Sequence, residues 1–148
     1  MKSISKNIRE TASFAEYLLK KILKKNSNKK RASVIGLCGE LGAGKTTFTQ
    51  ELAKLLDIKD KVVSPTFVLI KIYKLKSTNY KRFIHIDAYR LEKPKELLKL
   101  GWRNLIKDPK NLILVEWADK IKKILPKDAI FIYFSHLGRN KRRIEIKT

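Results

Sequence analysis

The sequence predicts an α/β domain, a mixed and mostly parallel sheet flanked by helices, and three observations carry that prediction. Short continuous apolar runs at 34–38, 112–115 and 129–134 are the pattern of strands covered on both faces. Apolar residues at helical spacing precede and follow the first run, so helix, strand, glycine-rich loop and helix succeed one another. With 148 residues and 43% hydrophobic content, the chain can bury one core on two sides of a sheet, which is read as a single small domain over 1–148.

The first helix is expected over 12–25, where Phe14, Tyr17, Leu18 and Ile22 recur at helical spacing and Ser13 with Glu16 forms a capping-box pattern. A polar, basic stretch at 24–31 connects it to the strand 34–38. Phe48, Leu52, Leu55 and Leu56 mark one face of a second helix over 45–56. Alternation at 67–73 and 83–87, with a polar turn at 76–79 between them, predicts a hairpin. Pro94 and Gly101 bracket a short helix, Pro at its start and Gly past its end. Two buried strands follow at 112–115 and 129–134, and the alternation of charge and isoleucine at 143–147 reads as an exposed edge strand.

Residues 1–9 are polar and charged where a signal peptide would be apolar, and no run approaches the roughly 18 apolar residues of a membrane span. A soluble, unprocessed, cytoplasmic protein is expected. Cys38 is the single cysteine, which excludes an internal disulfide and a cysteine-based zinc site. The formal charge of +21 would attract a polyanion, with RNA or an acidic protein as the natural partner. However, 27 of the 35 basic residues are lysines scattered along the chain, and a lysine-rich composition gives the same count without a binding role.

The chemistry is concentrated in Gly39-Glu40-Leu41-Gly42-Ala43-Gly44-Lys45-Thr46, which matches the phosphate-binding loop. Glycines let backbone N–H groups turn inward around phosphate oxygens, and the match lies where its mechanism requires, between a buried strand and an amphipathic helix. The class is therefore refined to a P-loop NTPase fold. ATP is expected against Leu41, Gly42, Ala43, Gly44, Lys45, Thr46 and Thr47. Lys45 reaches the β/γ oxygens as a point charge, and the Thr46 hydroxyl ligates magnesium. A second acid is needed at the end of a neighbouring strand, and Glu116, closing the run 112–115, supplies it unless it is only a solvated strand terminus. Trp117 beside it reads as core or as site. His85, Asp87, Tyr89 and Arg90 crowd one strand end and together read as a second site element, although singly His85 suits packing and Arg90 the surface. Ser64 and Thr66 flank Pro65 in a rigid turn whose hydroxyls are available to phosphate, water or metal, although on spacing alone it reads as a turn and nothing more.

Taken together these elements resemble the TsaE (YjeE) family, with its Gly-acidic-Leu-Gly-Ala-Gly-Lys-Thr-Thr loop, then Ser-Pro-Thr-Phe, His-x-Asp-x-Tyr-Arg and Val-Glu-Trp. All four occur here in order, at 39–47, 64–67, 85–90 and 115–117, and the resemblance spans nearly the whole chain. The acidic second position is Glu40, and the region around Gly138 and Arg139 matches only loosely. The resemblance implies ATP, magnesium and a role beside the transferase complex that places a threonylcarbamoyl group on adenosine 37 of certain tRNAs. Its ATPase would be weak alone, would depend on the transferase subunits, and would power turnover of the complex, with tRNA reached through that complex and no membrane involved. Residue by residue it implies Thr46 and Glu116 as magnesium ligands, Lys45, Asp87 and Glu116 as catalytic, and Thr11 at the nucleotide. Ser64, Thr66, His85, Tyr89 and Arg90 would sense the nucleotide, and Trp117 would lie near it or near a partner surface.

Two other classes compete. A small-molecule or nucleoside kinase needs an acceptor pocket and an arginine-bearing lid, and the connections here are too short for a sizeable one; Arg139, Arg142 and Arg143 are the only clustered arginines. A nucleotide-regulated RNA-binding module would suit the charge, but no aromatic-rich RNA-reading motif accompanies it.

Overall fold

The computed structural model describes residues 1–25, 29–63, 69–76 and 78–147 of the chain. The apolar run before the glycine loop becomes β2 (Ser33–Gly39), buried at all but its last position. It pairs in parallel with β5 (Asn111–Glu116) on one side and with β6 (Ile130–His136) on the other. Being covered on both faces is what requires these strands to be apolar without alternation. Beyond β5, β4 (Arg82–Asp87) continues the parallel set, and β3 (Ile70–Lys74) closes that side antiparallel, with Ile70 opposite Ile86 as the hairpin pattern predicts. Beyond β6, β7 (Arg142–Lys147) and β1 (Lys2–Ser5) add two antiparallel pairings. Among the described residues the order is β1-β7-β6-β2-β5-β4-β3, a seven-stranded mixed sheet whose four middle strands are parallel.

Each face of the sheet carries its own apolar layer. On one, α1 (Ile8–Lys25) and α2 (Lys45–Leu55) place Phe14, Leu18, Phe48 and Leu52 against Leu37, Leu114 and Phe134. Phe48 is fully buried and stands edge-on between Phe14 and Phe134, with ring centroids 6.2 and 5.7 Å away. On the other, α3 (Pro94–Leu98), α4 (Trp102–Lys107) and a 3₁₀ helix (Ala118–Ile124) bring Leu97, Trp102 and Ile121 against Val34, Ile84 and Val115. Gly36 in β2 permits the 3₁₀ helix to lie close, since a Cβ there would stand 2.8 Å from the Ala118 methyl.

Four local expectations are corrected. Strand β1 occupies part of the N-terminal stretch read as a polar lead, because only Ser5 of its four residues is buried and so no alternation announces it. Helix α1 begins four residues earlier than expected: the Glu10 N–H donates to Asn7 Oδ1 at 2.9 Å while the Lys6 N–H donates to Glu10 Oε2 at 2.7 Å. Asn7 and Glu10 cap that helix start, whereas Ser13 donates back to the Arg9 carbonyl inside the helix. The short helix between Pro94 and Gly101 ends already at Leu98, and Gly101, past that end as expected, also opens α4 in left-handed geometry (φ 89°). The strand at 143–147 is not an edge either, since β1 covers it from Lys2 opposite Glu145 to Ser5 opposite Arg142. Its charge and isoleucine alternation reflects one buried face, Ile144 and Ile146, and not a free edge. Among the described residues no helix is long and apolar enough to cross a membrane.

Candidate functional site

Parallel strands end on one side of a sheet, and β2, β5 and β4 end together here. The register sets Leu37 beside Glu116 and Glu116 beside Asp87, so the chain leaving β2 enters the glycine loop next to two buried carboxylates. The crevice outside the carboxyl ends of parallel strands is where α/β sheets bind ligands. The loop ends at Gly44, which caps α2 in left-handed geometry (φ 105°) without any side-chain cap. The first-turn N–H groups of α2 thus open toward the crevice with the helix's partial positive charge.

Lys45 crosses back over this loop. Its buried ammonium donates to the carbonyls of Gly39 at 2.6 Å and Glu40 at 2.8 Å and lies 4.1 Å from the centre of the Trp117 ring. Burial holds its pKa below the ordinary lysine value, with the Glu116 and Asp119 charges opposing that shift. Trp117 takes a left-handed conformation (φ 60°) between β5 and the 3₁₀ helix, and its ring packs on Tyr89 at 5.0 Å. A non-glycine residue is uncommon in that conformation, and the ring lines the cleft while packing on the edge of the core.

The two acids are held differently. Thr46 Oγ1 donates to Glu116 Oε1 at 3.0 Å, and His85 Nε2 lies 2.7 Å from Glu116 Oε2. An ionised carboxylate only accepts, so Nε2 carries the proton of that bond. His85 is fully buried and, among the described residues, its Nδ1 finds no hydrogen-bond partner. Asp87 Oδ1 accepts the backbone N–H of Tyr89 at 2.9 Å.

These groups surround a cleft of about 340 Å³. Of the residues expected at the site, Leu41, Gly42, Gly44, Lys45, Thr46, Thr47, Asp87, Tyr89, Glu116 and Trp117 line it. His85 stands behind Glu116, and Ala43 is buried under the loop with its N–H on the Glu40 carbonyl. Thr11 is not brought to the lining: its side chain is buried in the joint between β1 and α1, its hydroxyl 2.7 Å from that of Ser5. Arg90 is exposed and also outside the lining, while Ser64 and Thr66 fall outside the described residues. One lining residue was missed by sequence reasoning, Arg142, which the cross-sheet register delivers from the far end of the chain.

Magnesium prefers a few hard oxygens and keeps much of its shell for phosphate and water. The Thr46 hydroxyl and Glu116 carboxylate, converging at 3.0 Å, fit that preference. Among the described residues no cluster of three or more His, Cys, Asp or Glu could hold a metal by itself, so an ion here would complete its shell with water or phosphate oxygens.

Comparison with known proteins agrees with this architecture. The sequence profile of the family described as "Threonylcarbamoyl adenosine biosynthesis protein TsaE" matches residues 5–144. The tRNA threonylcarbamoyladenosine biosynthesis protein TsaE of Rickettsia typhi is 38% identical over 140 residues, 94% of this chain and 89% of the relative. That of Haemophilus influenzae is 34% identical over 133 residues, covering 90% and 77%. The crystal structure of Bacillus subtilis YdiB superposes with a TM-score of 0.71 at 30% identity, over 97% of this chain and 82% of that one. With the glycine loop, the Glu116 strand end and the four parallel strands all inside the matched span, the chain belongs to the TsaE family.

Proposed function

We propose that this chain is a magnesium-dependent ATP-binding and ATP-hydrolysing subunit required for synthesis of N6-threonylcarbamoyladenosine at position 37 of tRNA, where it drives turnover of the transferase complex in the cytoplasm. The observation that supports this most directly is one cleft in which the glycine loop meets a buried lysine, a threonine hydroxyl and a carboxylate bonded to that hydroxyl. Family membership supplies the pathway and favours it over the kinase and the RNA-binding module.

In this scheme the first-turn N–H groups of α2 receive the phosphate chain. Lys45 exchanges the Gly39 and Glu40 carbonyls for phosphate oxygens, so its buried ammonium is never left without acceptors. Thr46 and Glu116 are the protein oxygens offered to magnesium, and the His85 bond keeps Glu116 from rotating away. Magnesium, when bound, offsets the charge on the β- and γ-phosphates. Asp87 is assigned the attacking water. Tyr89 and Trp117, with Ser64, Thr66 and Arg90, are assigned to reporting the nucleotide state to the transferase subunits.

Calorimetric titration with MgATP tests the binding half. Lys45→Ala is expected to lower affinity on the order of 100-fold without unfolding the protein, because a charge-assisted contact to phosphate is lost; parent-like affinity would sink the assignment. Steady-state ATPase with and without the transferase subunits tests the coupling. Catalytic elements supplied in trans raise related NTPases by roughly 10³ to 10⁵, and equal rates in both conditions would leave a self-sufficient ATPase.

A further inference from the structure

Strand β7 begins at the same edge of the sheet where β2 ends. Because β6 runs parallel to β2 and β7 antiparallel to β6, Arg142 sits opposite His136, just beyond the register pair of Gly39 and Phe134. Its side chain then turns over the glycine loop. A Cβ on Gly44 would fall 2.0 Å from Arg142 Nη1, 2.8 Å from Cζ and 3.0 Å from Cδ, so the arginine side chain lies against the residue that caps α2. That residue's glycine identity leaves room for the arm as well as for its own left-handed turn.

The charge of this arrangement is one-sided. Arg31 and Arg82 are each paired to an aspartate, Asp128 and Asp108. Among the described residues Arg142 makes no ion pair and no side-chain hydrogen bond, although it is half-buried and lines the cleft. It stands beside the N-terminus of α2, where the helix dipole disfavours a cation, and in the same cleft as the Lys45 ammonium. Three positive features converge on one point, which is unfavourable for the protein alone and favourable around an anion. In the strand order, β6 and β7 lie on one side of β2 and β5 with Glu116 on the other, so Arg142 approaches from the flank opposite the acids.

We propose that Arg142 is a second cationic arm of the cleft, delivered by β7, which grips the phosphate chain of the nucleotide from the side opposite Glu116. This rests on the cleft being the MgATP site. A guanidinium presents a planar fork of donors that matches phosphate oxygens two at a time, which the Lys45 ammonium does not. It also gives the chain a charge of its own on the phosphates, in cis, from a strand remote in sequence from the glycine loop.

The test is calorimetric affinity for MgATP, MgADP and adenosine in the parent, Arg142→Gln and Arg142→Lys, with melting temperatures measured alongside. Glutamine keeps most of the arm's length over Gly44 and removes its charge. Arg142→Gln is expected to weaken both MgATP and MgADP by roughly 10-fold or more while adenosine binding stays at the parent value, and Arg142→Lys to recover part of the loss. Parent-like MgATP and MgADP affinity in Arg142→Gln, or an equal loss for adenosine and the nucleotides, overturns the arm. Failure of the parent itself to bind MgATP would instead overturn the reading of the cleft on which it depends.

Discussion

Glu116 and Asp87 end adjacent parallel strands as register partners, and both are buried, yet different contacts meet their side chains. Both oxygens of Glu116 are held by residues far away in sequence, Thr46 on α2 and His85 on β4. Asp87 is tied at Oδ1 to the backbone only two residues on, a local turn contact. Glu116 is therefore tied to the glycine-loop helix and to β4, while Asp87 accepts from its own strand-end turn and its backbone N–H donates across to the Leu69 carbonyl at 3.0 Å. In the proposed scheme Glu116 is the metal ligand and Asp87 the group at the attacking water.

The largest expected effect separates the two acids directly. Glu116→Gln should reduce magnesium-dependent ATPase by on the order of 100-fold or more and spare nucleotide binding in the absence of metal. Asp87→Asn should lower kcat by a comparable or smaller factor with MgATP affinity kept, as loss of a group that positions a proton acceptor does. Magnesium titrations of both variants decide the matter: unchanged metal dependence in Glu116→Gln would transfer the ligand role to Asp87 and reverse the comparison.

A smaller effect is expected at His85, which acts through Glu116. His85→Ala leaves a buried carboxylate oxygen without its donor, so we expect a loss of about 1–3 kcal/mol in stability by urea unfolding. It should also weaken magnesium affinity by roughly 10-fold or more, since groups that orient a ligand commonly carry that much. His85→Gln, which can still donate, should restore part of the metal affinity. A stability loss without any change in magnesium affinity would make His85 a packing residue only.

The smallest effect concerns Lys45 and its pH dependence. Burial depresses its pKa in the folded protein, so the unfolded chain binds more protons and stability rises with pH across the window between the folded value and the ordinary 10.5. At neutral pH the ammonium therefore costs stability. Lys45→Met should melt at a higher temperature than the parent near neutrality, with the gap closing as pH rises through that window. A lower melting temperature at neutral pH would mean that the bonds to the Gly39 and Glu40 carbonyls outweigh the cost of burial.

Much of this molecule is legible in short windows of sequence because the causes act over short windows. The phosphate loop is local: glycines and Lys45 within eight residues, a buried strand before and an amphipathic helix after. The apolar runs report burial on both faces one strand at a time, and Glu116 is visible as an acid closing such a run. What spacing left open was whether Glu116 meets the loop or ends as a solvated terminus, what holds it, and which basic residue lines the cleft with Lys45. Those are answers about pairing between strands far apart in the chain, β4 with β5 and β2 with β5 and β6, and side-chain type at one position does not encode its cross-sheet neighbour.

The same division runs through the fold. By itself the sequence determined the α/β class, the order of most elements, the glycine loop and the cluster from His85 to Asp87, since each depends on residue periodicity or on backbone geometry within a few residues. Only the tertiary structure decided that β1 covers β7, that Asn7 and not Ser13 starts α1, and that His85 backs Glu116. It also decided that Thr11 turns toward Ser5 and that Arg142 lies against Gly44. Each of these depends on the register of strands distant in the chain or on competition between nearby caps, quantities set by the packing of the whole sheet rather than by any one segment.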